Sequence, residues 1–179
     1  RIHAIRAVAG LLLQLKQAEV EFELSRFTQK GGASNAIPSN AEALILLNKK
    51  DIEKVKHFTE EKARDLRETY RHTDDQFTLT AEAARRPESV FTPACRDAVL
   101  TLCMSLPCGI RSMSREIEGL VESSANYAML QANEEGISLS LLIRSCQQEP
   151  LDALVAESRN LIEYSGFSCT VESGSDAWP

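Results

Sequence analysis

The sequence lacks the local side-chain patterns by which most catalytic and metal sites are recognised. Its three histidines stand in no HxxxH, HxD or HExxH spacing, so neighbouring residues assemble no zinc-hydrolase motif. No serine lies in a GxSxG turn, and Cys108 has no histidine signal beside it that would activate a thiol. The sequence therefore predicts no catalytic residue and no metal ligand within the chain.

Paired cysteines, excess positive charge and long apolar runs are also missing. The five cysteines are odd in number and form no CxxC, which favours reduced thiols over a disulfide framework or a zinc finger. A net charge of −6 argues against nucleic-acid binding. No apolar run approaches the roughly 20 residues that span a membrane. We therefore expect a cytoplasmic domain that binds neither nucleic acid nor membrane.

Both ends of the sequence read like the interior of a longer protein. The chain opens on Arg1, inside a helical pattern and without an initiator Met, and it stops at Asp176-Ala177-Trp178-Pro179. We expect residues 1–179 to be a single domain of a longer chain, since 179 residues suit one domain with a sizeable core.

The first half reads as helix, strand, strand, helix, strand. Apolar residues at helical spacing predict a helix over 2–16. Apolar residues alternate with glutamate over 18–24, which predicts a strand with one wet face. Residues 41–47 are more apolar, so we expect that strand to be more central. Asn48 is the expected cap of the next helix, and 76–83 is a third predicted strand.

The second half repeats that order. Thr92-Pro93 is a helix start signal. Predicted strands, a helix and a last strand follow at 126–132, 137–144, from Pro150 to Gly166, and at 167–173. Short matches recur at an offset of 90 residues, as between Ala4-Ile5-Arg6 and Ala94-Cys95-Arg96. This recurrence predicts an internal duplication of 1–88 and 89–179.

These elements predict an α+β fold with one antiparallel sheet and the helices packed on one face. Each half has the parts of a ferredoxin-like split-βαβ unit, and the two halves would lie side by side. The opposite, wet face of the sheet is predicted to carry Glu19, Glu21, Glu23, Ser138, Ser140 and Arg144.

The connection GGASNAIPS, residues 31–39, is longer than a hairpin needs. Gly31 and Gly32 permit backbone angles that side chains forbid, and Pro38 fixes φ and favours an extended residue before it. Asn35 would then be held on a stiffened loop, with an amide able to donate and to accept. The alternative is an ordinary long hairpin loop with asparagine in a turn.

The second unusual connection, residues 107–126, is apolar and carries Arg111 without an obvious helical acid partner. One interpretation is a covering loop over the sheet edge. The functional one is a wall of a binding cleft, where arginine meets a substrate carboxylate. Arg111 and Arg144 are both candidates for that contact.

These segments resemble one protein family. GG-x-x-x-NAIP before an apolar strand resembles the lid domain of the aminoacyl-histidine dipeptidases (peptidase D, Xaa-His dipeptidases), which are two-zinc exopeptidases. GIRSMSREIEGLVESSAN is similar to that family's G-V-x-x-M-S-x-x-x-x-G-L-V-E-T-S-x-N segment. The opening RIHAIRAVAGLLLQL resembles the family's first lid helix. The closing SGSDAWP resembles the point where the family's chain returns to its catalytic domain.

The resemblance implies a division of labour within a longer enzyme. It places a pair of zinc ions and the general base in a separate catalytic domain, so residues 1–179 alone are expected to be inactive and to hold no cofactor. It implies that the lid closes over a dipeptide and supplies substrate contacts, with Asn35 as the amide contact. The catalytic domain of the same chain and the dipeptide are the implied partners.

One position departs from the family. Dimeric relatives carry a substrate-binding arginine thirteen residues after the loop asparagine, whereas position 48 here is Asn. In simpler relatives the lids pair across a dimer, and a duplicated lid would mimic that pair within one chain. Two other functions stay open. One is a regulatory module that binds an amino acid or other small ligand, and the other is a dimerisation scaffold whose partner could be a second copy of the chain in a homodimer.

Overall fold

The structure, a computed structural model, describes residues 1–172. The elements in chain order are α1 (Ala4–Gln17), β1 (Phe22–Thr28), β2 (Glu42–Leu47), a short 3-10 turn (Lys49–Asp51), α2 (Ile52–Thr69), α3 (Pro93–Ser105), β3 (Gly109–Met113), β4 (Val121–Asn133), β5 (Gly136–Ser145) and α4 (Gln148–Tyr164). The predicted α+β class is confirmed. The motif SGSDAWP, residues 173–179, lies outside the described residues.

The five strands form one antiparallel sheet built around β4. β5 pairs with β4 along one edge. β3 and β1 share the other edge: β3 pairs with residues up to Ala125, and β1 pairs with Gln131 and Ala132. Between these two pairings, residues 126–130 of β4 have no strand partner on that edge within the described chain. We call this stretch the β4 gap.

The helices cover one face of the sheet, and the core lies beneath them. α1 and α3 contact each other over the centre, α2 flanks α1, and α4 lies against β5. Alternation decides which strand residues face inward: Phe22 and Leu24 are buried while Glu23 is exposed. The predicted wet-face residues Glu19, Glu21, Glu23, Ser138, Ser140 and Arg144 are all exposed.

A bulge interrupts β4 at Met129. The register with β5 shifts between Ala128 and Gln131, and Met129 has a φ of 56°. Because one extra residue reverses the alternation, Tyr127 and Leu130 both reach the core although they lie an odd number of positions apart. A positive φ is unfavourable for a side chain as large as methionine. The packing on either side of Met129 therefore holds it in this conformation.

Two predicted strands do not form. Residues 76–83 join no ladder, although Phe77 and Leu79 are half-buried. Residues 167–172 likewise form no strand, and position 173 lies outside the described residues. A period-two pattern predicts which side chains face inward, but it does not predict whether another strand lies close enough to form backbone hydrogen bonds. Here the hydrophobic contact is made without the hydrogen bonds.

The prediction that 41–47 forms a more central strand is wrong. β2 lies at one end of the sheet order, with β1 as its strand neighbour, and five of its six residues are only half-buried. Residues 107–126 are also not a covering loop, because β3 and the start of β4 form a hairpin there.

Several local signals are confirmed. The Thr92 side chain accepts from the amide of Cys95 at the start of α3, with Pro93 in the first turn. Gly166, at a φ of 86°, follows α4 in the left-handed conformation that ends many helices. Asn48 precedes the 3-10 turn, but its side chain makes no capping hydrogen bond.

Tyr127 joins β4 to both central helices. It is fully buried, and its hydroxyl donates to the carbonyl of Cys103 near the end of α3. Its ring lies 4.4 Å from the ring of His3, centroid to centroid. Its own carbonyl oxygen lies 3.0 Å from Nε2 of His3. One residue of the β4 gap thus fixes where α1 begins and where α3 ends.

His3 is held as a neutral ring. Its Nδ1 accepts from the amide of Arg6, which makes it the cap of α1, so Nε2 carries the proton donated to Tyr127. Burial, helped by the nearby positive charge of Arg6, lowers the pKa of His3 to about 4, although the hydrogen bond to the Tyr127 carbonyl acts in the opposite direction.

We predict that Tyr127→Phe lowers the free energy of unfolding by about 1–3 kcal/mol, because it leaves the buried Cys103 carbonyl without this donor. Urea denaturation followed by circular dichroism measures the change. Tyr164→Phe is the matched control, since Tyr164 is 93% exposed, and it should alter stability by less than about 0.5 kcal/mol. An equal effect of both variants would contradict the role assigned to the Tyr127 hydroxyl.

We predict that His3 makes the protein acid-sensitive between its unfolded pKa of about 6.5 and its folded pKa of about 4. In that window the unfolded chain binds a proton that the folded chain does not, so stability falls as pH falls. His3→Asn keeps an N-cap oxygen but does not titrate. From pH 7 to 4.5, the free energy of unfolding should fall by about 2 kcal/mol more in the wild type than in the variant. Equal pH dependence of stability in the wild type and in His3→Asn would contradict the prediction.

Candidate functional site

The site begins with the loop between β1 and β2. Gly31 and Gly32 have φ values of 65° and 98°, which glycine adopts without steric cost. A Cβ on Gly32 would lie 2.7 Å from Nε2 of Gln29, so a side chain there would displace the end of that glutamine as well as strain the backbone. The loop turns at Ser34–Ala36, where the Ala36 amide donates to the Ala33 carbonyl.

Both ends of this loop are fixed by hydrogen bonds. The Asn40 side chain bonds the amide and the carbonyl of Lys30, at 2.9 and 2.8 Å. Pro38 is buried, and its carbonyl accepts from the amide of Ala4 at 2.9 Å. The loop is therefore attached to the start of α1 as well as closed on itself.

Asn35 lies at the apex of the loop and is exposed. Its side chain makes no hydrogen bond to any residue in the described range 1–172. The peptide groups around it are held more firmly: the Asn126 side chain bonds the carbonyls of Ser34 and Ala36 at 3.0 and 2.9 Å. A solvent-facing amide on an anchored backbone is suited to bind a polar group that approaches from outside.

The structure separates the two arginine candidates. Arg111 lies on β3, and its guanidinium is 3.5 Å from the carboxylate of Glu157 on α4. Arg144 lies on β5 opposite Ser124, and it lines the same cavity as Ile37 and Asn126. Arg144 is thus the candidate that shares a cavity with the Asn35 loop, whereas Arg111 is directed toward a helix.

That cavity has a volume of about 830 Å³ and lies among α1, α2, the hairpin of β3 and β4, and β5. Its walls include apolar side chains such as Ile2, Leu66 and Met104. They also include the positively charged side chains of Arg1, Arg6, Lys62 and Arg144, with Glu122 as the acidic one. A cationic cavity in a chain with a net charge of −6 is suited to an anionic group.

Arg6 anchors one wall of this cavity, since its guanidinium donates to the Met104 carbonyl at 2.8 Å. The ammonium group of Lys62 lies close to Gly10, where a Cβ would meet it at 3.7 Å. Neither Arg6 nor Lys62 forms an ion pair within residues 1–172. Sequence reasoning missed both, because their convergence depends on how α2 and α3 pack against α1.

The histidines of this chain do not fit a zinc site. Both ring nitrogens of His3 are occupied by backbone partners, and Nε2 of His72 accepts from Arg71. Nε2 of His57 lies 3.5 Å from Glu61, at the surface of α2. Among residues 1–172, no group of three or more His, Cys, Asp or Glu side chains is arranged to hold a metal ion.

Cys103 and Cys108 are poor candidates for a nucleophile. All five cysteines are free. Burial raises the pKa of Cys108, and it raises the pKa of Cys103 to about 12, so both stay protonated near neutral pH. No helix in the described part of the chain is long and apolar enough to cross a bilayer.

Comparisons with known proteins relate the chain to dipeptidases. No family model matches it. It is 21% identical over 174 residues to the cytosol non-specific dipeptidase of Escherichia coli K12, covering 97% of this chain and 35% of that protein. The fold matches the crystal structure of aminoacylhistidine dipeptidase from Vibrio alginolyticus with a TM-score of 0.87 and 23% identity, over 93% of this chain and 34% of that one.

The chain thus spans about a third of the length of the proteins it matches. Both the sequence match and the fold match are to dipeptidases. The resemblance predicted from the loop and hairpin motifs is confirmed: in sequence and in fold, this chain is similar to a segment of a dipeptidase.

Proposed function

We propose that this chain is the lid domain of a cytosolic, zinc-dependent dipeptidase of the Xaa-His type. In this proposal it closes over the dipeptide and supplies substrate contacts, while the metal-bearing catalytic domain lies elsewhere in the same longer chain. The observation that carries the proposal is Asn35, an exposed amide at the apex of a loop whose two flanking carbonyls are hydrogen-bonded to β4. The likeness to dipeptidases supports it.

The chemistry of the reaction belongs to the other domain in this proposal. A pair of zinc ions there would activate the water that attacks the peptide bond. Since the described histidines are engaged or isolated, this chain would contribute no metal ligand. Its contribution would be to exclude water and to orient the substrate. On its own it is expected to be inactive.

Asn35 would hydrogen-bond the substrate, and Arg144 would bind its carboxylate. A guanidinium suits a carboxylate because it offers parallel N–H donors. Arg144 is preferred to Arg111 because it lines the cavity that Ile37 of the loop also lines, and Arg111 does not. Ile37, which is 43% exposed next to the loop apex, would contact an apolar part of the substrate.

The predicted duplication also stays a proposal. The sheet runs from β2 through β1 and β4 to β5, and α1 and α3 contact each other at its centre. In that order, β1 and β4 would be equivalent strands of the two copies, and β2 and β5 their hairpin partners. The proposed ancestor is a unit of helix, two strands and helix, with β3 added in the second copy.

We predict that Asn35→Ala in the full-length enzyme lowers kcat/KM for a dipeptide about 10- to 100-fold, the size expected for one lost substrate hydrogen bond. Steady-state hydrolysis of a histidine-containing dipeptide measures this. Asn160→Ala is the matched control, since Asn160 is exposed on α4 and lies outside the site. It should change kcat/KM less than twofold.

The arginine candidates are compared in the same assay. Arg144→Ala should raise KM more than Arg111→Ala does, because only Arg144 would meet the substrate carboxylate. If Asn35→Ala leaves kcat/KM unchanged while the enzyme stays folded, Asn35 is not a substrate contact and the lid proposal loses its main support.

The cavity favours a second candidate function, a regulatory module for a small anionic ligand. Its volume of about 830 Å³ lies in the range of small-molecule sites, and its walls combine apolar side chains with Arg6 and Lys62. An amino acid derivative with a free carboxylate and an apolar side chain would suit these walls. A dimerisation scaffold, including a homodimer, has no comparable feature in its favour.

Calorimetry distinguishes the two functions. If this chain is a lid, titration with N-acetyl-leucine should give no binding heat up to millimolar concentration, because the substrate site would need the catalytic domain as its other wall. A regulatory module would bind the probe alone. Lys62→Ala would then abolish that binding, while Lys50→Ala, an exposed lysine away from the cavity, would not.

A further inference from the structure

We infer that Asn126 is the positioning residue of the Asn35 loop, an inference that rests on the proposed function for its effect on catalysis. Its side-chain nitrogen donates to the carbonyl of Ser34 at 3.0 Å and to the carbonyl of Ala36 at 2.9 Å. These two carbonyls lie on either side of Asn35. A single amide group therefore holds the backbone on both sides of the exposed apex.

Asn126 makes these bonds from the second half of the chain, across a separation of 90 and 92 residues. It is the first residue of the β4 gap, where the strand has neither β3 nor β1 beside it. The other end of the gap binds the base of the same loop: the Gln29 amide donates to the Leu130 carbonyl at 2.9 Å, and the Met129 amide donates to the Gln29 side chain at 2.7 Å. The loop therefore occupies the place of a missing strand.

The hydrogen-bond partners determine which way the Asn126 amide points. Both acceptors are carbonyl oxygens, so only its nitrogen can face them. The consequence is an unfavourable one for Asn126 itself, because its side-chain oxygen is buried without a hydrogen-bond partner among the described residues. A buried unpaired acceptor calls for an explanation. The two bonds to the loop explain it. The side chain is oriented so that its nitrogen donates to both carbonyls, and this orientation leaves its oxygen without a donor.

This arrangement ranks the substitutions at position 126. Asn126→Ala removes two donors and frees the loop apex. Asn126→Asp is nearly the same shape, but it brings a carboxylate against two carbonyl oxygens and should repel the loop. Asparagine at 133 gives the matched control on the same strand. Its side-chain oxygen accepts from the amide of Glu135, a role that a carboxylate also fills.

The test is amide hydrogen exchange on the isotope-labelled chain, followed at the Ala36 amide, which is bonded within the loop. Asn126→Ala should speed this exchange about tenfold, and Asn126→Asp should speed it more. Asn133→Ala and Asn133→Asp should each change it less than twofold. Should Asn126→Asp not fold, Asn126→Ala gives the same readout. Unchanged exchange in folded Asn126→Ala overturns the inference.

A second measurement separates this inference from the proposed function. In the full-length enzyme, Asn126→Ala should lower kcat/KM in the wild type and should have little further effect when Asn35 is already alanine, since it acts through Asn35. Faster exchange without any change in activity would leave Asn126 as the residue that holds the loop and would count against Asn35 as a substrate contact. Equal effects in both backgrounds would show that Asn126 acts independently of Asn35, against the inference.

Discussion

The backbone of the β4 gap needs hydrogen-bond partners, and this requirement sets the position of everything around the loop. A strand edge left open inside a protein carries unpaired amides and carbonyls, which are costly when buried. Here the Tyr127 carbonyl accepts a hydrogen bond from the His3 ring, the Leu130 carbonyl accepts one from the Gln29 amide, and the Met129 amide donates to the Gln29 side chain. The start of α1 and the end of β1 are therefore fixed to one stretch of β4. The loop between β1 and β2 follows from that attachment.

The loop is held in place while its apex stays exposed, because different atoms serve the two purposes. The anchoring bonds use main-chain carbonyls, buried Pro38 and the side chain of Asn126, so the side chain of Asn35 is left exposed. The adjoining cavity adds positive charge from Arg6 and Lys62 to a chain that is acidic overall. A surface that presents a fixed amide beside positive charge is suited to a small polar molecule with a carboxylate. Binding of this kind requires no titrating or nucleophilic side chain on this surface.

Much of the fold follows from the sequence, and the exceptions share one cause. The burial alternation over 18–24, the Thr92-Pro93 signal and the glycine after α4 depend on residues close in sequence, and each is confirmed. The strand predicted over 18–24 begins only at Phe22, since residues 18–21 form no strand. Pairing depends on distant residues, so the sequence predicted strands at 76–83 and 167–173 that the described chain does not form. The site divides in the same way. The loop and its exposed asparagine could be predicted. The direction of Arg111 could not, because it depends on the fold of the second half, where Glu157 lies, and the donor role of Asn126 arises from packing between the two halves.

A loop from the first half is attached to a strand of the second half, so the site forms only when both halves are present. If the halves descend from one unit, as proposed, the same loop in a single-copy ancestor would have had to find its anchoring strand on another subunit. Its order would then depend on protein concentration, because a subunit binds by mass action. Joining the copies in one chain makes that contact intramolecular and supplies the anchoring strand at a high effective concentration. The bonds from Asn126 to Ser34 and Ala36 would then hold the apex at any dilution. The second copy would thus have become a support for the first, and the two halves would have been free to evolve different loops.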